Sequence, residues 1–257
     1  VSVRTVRGEN IALHARQGTA TVTSAVEGNL EVEAAKFVAK RVHGAEVNVR
    51  ASAGGVDVAA VYSPSALFSS SGPTSLGTVD GLCRVVASAS QPVAVRGMSG
   101  RVVVLGGGSV DVHFDDPGVH SHVAAAASAP VHLSFLAPVD VRVQVAAAVP
   151  TEVLSGGGTV AETDLGDGIV EYRLSVAESA DSRPFGSEAS KPGQGKISDQ
   201  GRQQHRVLRD GVALDGSDDA STPLVEVASA GAVTVEVLDW MGMMRKKMGD
   251  KAGAMKQ

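Results

Sequence analysis

Residues 92–146 read PVAVRGMSGRVVVLGGGSVDVHFDDPGVHSHVAAAASAPVHLSFLAPVDVRVQVA, and this stretch decides the fold class. One phrase recurs in it: a few alternating valines, then a corner of small residues. Alternation with period two places Val102 and Val104 on one face of a strand, and likewise Val110, Val112 and Phe114. The strand starts fall near 92, 101, 109, 130 and 139, and many of the steps are about eight or nine residues. A short, regular repeat of this kind predicts a repetitive all-β architecture, a single-chain β-solenoid in which each coil buries its apolar face against its neighbours. Parallel stacking would make it right-handed. A β-sandwich with hairpin connections is the alternative.

Composition points the same way. Hydrophobic residues make up 43% of the 257-residue chain, most of them valine and alanine, while aromatics make up only 3%. Small branched side chains suit a thin interior between closely spaced walls better than the aromatic-rich core of a sandwich. Thirty glycines against ten prolines fit many tight corners.

Outward from the central stretch, residues 1–50 alternate as NIALHA, TATVTS, NLEVEA and AEVNVRA. Val22, Leu30, Val32, Val47 and Val49 are predicted to face inward, with Gly18, Gly28 and Gly44 at corners. FVAKRVHG, residues 37–44, reads as a helical turn or as another strand. Strands are expected at 56–61 and near 76–79, and two more around 151–176. The glycine runs 106–108 and 156–158 match no nucleotide-binding loop and read as corners. Composition changes at 178–221, which is polar and rich in Gly, Ser and Asp; strand pattern returns at 222–240. The chain thus divides into a solenoid (1–177), a polar insertion (178–221), closing strands (222–240) and a basic, Met-rich tail (241–257).

Function is less explicit. A net charge of −5 gives the body no general attraction for nucleic acid or anionic lipid. No apolar run approaches the roughly 18 residues that a membrane-crossing helix needs. The single cysteine, Cys83, rules out an internal disulfide framework and reads as a buried apolar residue. The triple serine 69–71 lacks the G-x-S-x-G elbow of a nucleophile. Asp111, His113, Asp115, Asp116, His120 and His122 have metal-like composition, but valines interleave with them, and an exposed polar ladder is the expected reading. No catalytic residue and no cofactor is predicted.

The residues VDGLCRVVASASQPVAVRGMSGRVVVLGGGSVDVHFDDPG (79–118), APVHLSFLAPVDVRVQVAAAVPTE (129–152) and the closing GAVTVEVLDW (231–240) resemble the adhesin β-solenoid family, in particular its eukaryotic members. The resemblance spans residues 20–176 and 222–240. It implies a fold, carries no catalytic residues, and suggests an intracellular, mitochondrial setting. The opening Val-Ser-Val, with Arg4, Arg7 and Arg16 against Glu9, fits processing after an Arg-rich presequence.

The expected function is therefore a non-catalytic structural subunit or assembly factor of a larger complex, mitochondrial and a candidate ribonucleoprotein component. An extracellular adhesin or polysaccharide-binding solenoid is the alternative. Protein subunits are the expected partners. They would meet Phe185, Val207 and Leu208 as apolar anchors of the insertion and Arg202, Arg206 and Arg209 as its charged contacts. In the tail, Trp240, Met243, Met244, Arg245, Lys246 and Lys247 form an adaptable basic surface for a protein or for RNA.

Overall fold

The computed structural model describes residues 1–126, 128–146, 148–177, 222–239 and 242–243. They form a parallel β-solenoid of about six turns. The early coils run through long, bent strands: β1 (Ser2–Ala39), β2 (Val42–His43), β3 (Glu46–Ser70), β4 (Thr74–Ala87) and β5 (Pro92–Leu105). Shorter strands follow: β6 (Ser109–Pro117), β7 (His120–Ala124), β8 (Val131–Leu136), β9 (Val139–Ala146), β10 (Thr151–Leu154), β11 (Thr159–Gly166) and β12 (Ile169–Val176). The chain closes with β13 (Leu224–Ala228) and β14 (Val233–Leu238).

The pairings are parallel from β1 through β8. This excludes the sandwich alternative, whose hairpins would pair antiparallel. One coil takes two of the short sequence steps, because Val85 stacks beside Val104 and Val56 beside Thr74. The inward valines named from sequence are all buried, and with Leu76, Met98 and Leu133 they form one continuous core. Phe114 and Phe135 occupy the same inward column on β6 and β8, with rings stacked at 5.0 Å. FVAKRVHG is strand rather than helical turn: its first residues finish β1, and Val42–His43 form β2 between Val26 and Val61. Three strands, not two, occupy 151–176, since β10 precedes the β11–β12 hairpin.

Corners explain the glycines at two kinds of position. Gly106 and Gly107 adopt φ of 89° and 105°, which side-chain-bearing residues avoid. At Gly28, φ is 137° and any Cβ would collide with the carbonyl of Gly8 one coil earlier, so only glycine lets these coils approach. Gly18 has open space around it, so it is not held to glycine by close approach.

The C-terminal half departs from sequential stacking. β5 carries β6 on its first half and β7 on its second, and two ladders continue from there. In the first, β8 stacks on β6, then β14 on β8, then β10 on β14. In the second, β13 lies on β7, β9 on β13, and the antiparallel β12 and β11 finish the sheet. The last two strands in sequence therefore slot between strands laid down earlier. Among the described residues, β9–β12 pair with β1–β8 only through β13 and β14, so the late strands act as a keystone.

Candidate functional site: the outer face and its side-chain ladders

Parallel stacking aligns outward side chains into columns, one residue per strand and about 4.8 Å apart. On the second ladder, one column is aliphatic. Val86 neighbours Leu105, Leu105 neighbours Ala124, and Ala124 neighbours Ala228. In the β13–β9 register Val227 pairs with Val145, so one residue further along the column reaches Ala146 and its partner Ile169. Val86, Leu105 and Ile169 are 41%, 44% and 38% exposed. Sequence reasoning passed over this column, although a signal was present. Val86 and Leu105 each follow a buried valine, at positions where strict alternation calls for a polar residue.

The adjoining column runs Arg84, Val103, His122, Glu226 and Gln144, polar except at Val103. Glu226 on β13 lies opposite His122 on β7. Its Oε2 is 2.9 Å from His120 Nε2 and 3.4 Å from His122 Nδ1. The hydrogen bond from His120 holds the Glu226 carboxyl below its ordinary value, against a smaller opposing effect of burial; His122 adds to the lowering. On the first ladder, His132 bridges Asp111 at 3.1 Å and Glu236 on β14 at 2.7 Å. Imidazole–carboxylate contacts thus tie both keystone strands to their neighbours.

The polar ladder expected at 111–122 is present on both ladders, with one difference. Asp111 and Asp116 are exposed, whereas His113 is only 6% exposed. Its Nδ1 lies 2.9 Å from Ser134 Oγ, and its Nε2 lies 3.2 Å from Asp115 Oδ1 without hydrogen-bond alignment. Ser, His and Asp are thereby brought together, yet the Ser134 side chain is fully buried and cannot meet a substrate. The trio fastens β6 to β8. Among the described residues, no group of three or more His, Cys, Asp or Glu is arranged to hold a metal ion.

A third feature lies at the early coils. Glu27, His43 and Tyr62 are register neighbours on β1, β2 and β3, and with Arg41 they line a cleft of about 360 Å³. Arg41 and His43 are two residues apart, and both line this cleft. Arg7 Nε holds Glu27 at 2.7 Å from the preceding coil. Recurrence of outward polar residues at 27, 43 and 62, close to the coil period, is the sequence trace of this cleft.

Of the expected partner-binding residues, Met243 is buried, and its N–H donates to the Asp239 carbonyl at 2.9 Å. Asp239 Oδ1 also caps this turn by accepting from Gly242 N–H at 2.6 Å. Phe185, Arg202, Arg206, Val207, Leu208, Arg209, Trp240, Met244, Arg245, Lys246 and Lys247 lie outside the described residues. No helix among the described residues is long and apolar enough to cross a membrane. Comparison with family models, with curated proteins and with solved structures found no match.

Proposed function

We propose that this protein is a non-catalytic docking scaffold, a structural subunit or assembly factor of a larger complex. The observation that supports it is the aliphatic column Val86–Leu105–Ala124–Ala228–Ala146–Ile169. Val86, Leu105 and Ile169 are 41%, 44% and 38% exposed, so covering what remains of each is worth about 1 kcal/mol, a fraction of the roughly 1.5–3 kcal/mol for burying such a side chain completely. Scattered exposed aliphatics need no explanation, but a contiguous row on a rigid sheet is the kind of surface a partner covers. The column beside it, polar at Arg84, His122, Glu226 and Gln144 and interrupted by Val103, would supply the polar rim that sets register.

In this reading the insertion 178–221 and the basic tail 241–257 are additional arms. RNA contact would fall to the tail, because the body is acidic. The adhesin-type resemblance and the mitochondrial setting belong to the same proposal. The test is the native mass of tagged protein recovered by gentle lysis. Wild-type protein is expected in an assembly well above its own 26.1 kDa, and Leu105→Glu in the same cells is expected to be free. Wild type recovered only as monomer, or Leu105→Glu still fully assembled, would overturn the proposal.

A further inference from the structure

The cleft at the early coils carries chemistry that a docking wall does not need. Tyr62, on the rung after His43, is 37% exposed. Arg41 borders this cleft and also a second one of about 300 Å³, lined by Lys40, Ser24, Ala25, Ala59 and Ala60. Among the described residues, Lys40, Arg41, His43 and Tyr62 have no side-chain hydrogen-bond or ion-pair partner, although all four are polar groups at one corner of the solenoid. Glu27, the one carboxylate among the described residues lining the two clefts, is already paired with Arg7. On a chain with net charge −5, this corner is locally cationic. Asp80 is the register neighbour of Tyr62 on the next rung.

We infer that the paired clefts around Arg41 form a binding site for a small ligand that carries an oxyanion beside a ring. The guanidinium of Arg41 and the ammonium of Lys40 would hold the oxyanion by charge-assisted hydrogen bonds, with His43 as a third donor. The face of Tyr62 would receive the ring, and Asp80 would orient the anion away from itself and toward Arg41. Ala59 and Ala60 leave room beside the two cations, and each cleft, at about 360 and 300 Å³, has room for a single ring or an oxyanion. A mononucleotide and an acidic sugar share this chemistry.

The experiment is a calorimetric titration of the full chain with three probes: adenosine monophosphate, glucuronate and inorganic phosphate. One ring-bearing probe is expected to bind saturably and more tightly than phosphate, and whichever it is names the source of the oxyanion. Arg41→Gln should weaken that probe by about 10- to 100-fold, the range for losing a hydrogen bond to a charged group. Tyr62→Ala should weaken the ring-bearing probe and leave phosphate unchanged, while Tyr62→Phe should retain binding. Both positions are on the surface, and an unchanged melting temperature confirms that each variant is folded. Absence of saturable binding by every probe, phosphate binding equal to that of both ring-bearing probes, or an Arg41→Gln variant that binds like wild type would each overturn the inference.

Discussion

Ending the chain at Ala177 is the perturbation that reads the keystone arrangement most clearly. It removes β13 and β14 together with the insertion, yet leaves every residue of β1–β12 in place. The keystone strands contribute Val225, Val227, Val233, Val235 and Val237 to the core, all at most 6% exposed. At about 1.5–3 kcal/mol for each buried valine, the gross loss is roughly 10 kcal/mol, similar to the entire stability of an ordinary domain. The loss is not spread evenly. Strands β1–β6 keep all of their partners among themselves and with β7 and β8, whereas β9 and β10 lose the strands that joined them to the body. Hydrogen–deuterium exchange of the truncated protein should therefore show residues 139–176 exchanging as an unfolded chain. Residues 20–105 should stay protected as in the full-length protein. Persistent protection across 139–176 after truncation would refute the reasoning, because β9–β12 would then be held by something other than the keystone.

Two further outcomes follow from single side chains. Burial pushes the Cys83 thiol up to about 12 and seals it from solvent, so a thiol reagent should modify native protein only at the rate of opening; fast stoichiometric labelling would contradict this. The Glu226 carboxyl lies below its ordinary value of 4.5, so it stabilises the fold above that pH and loses the contribution as pH falls through its folded value. The stability difference between wild type and Glu226→Gln, measured by denaturant titration, should be present at pH 6 and shrink below about pH 4.5. A difference that grows on acidification would reverse the assigned sign.

Much of the solenoid was legible because its core is written in local alternation. Val102 and Val104 are buried where the period-two pattern puts them, and so are Val110, Val112 and Phe114. Each coil also repeats the small-residue corner that lets the chain turn. The keystone was not legible. VEVAS and VTVEV look like any other rungs, and nothing local in a strand specifies which two neighbours it will separate. The burial of His113 escaped for a related reason. Alternation assigns it outward, correctly, but whether an outward residue is covered depends on its lateral neighbours, here Ser134 and Asp115. The Tyr62 cleft and the aliphatic column are properties of stacking too. Glu27, His43 and Tyr62 become one site only when the coil length sets them side by side, and Val86 becomes part of a surface only beside Leu105.

Docking through the outer face of the second ladder is the central functional claim, and footprinting tests it most directly. Hydroxyl-radical labelling of the native assembly, compared with the purified protein, reports the solvent access of individual side chains. Val86, Leu105 and Ile169 are predicted to lose labelling in the assembly, while Val119, 68% exposed and outside the column, keeps it. Equal labelling of Val86, Leu105 and Ile169 in the two samples would contradict the claim.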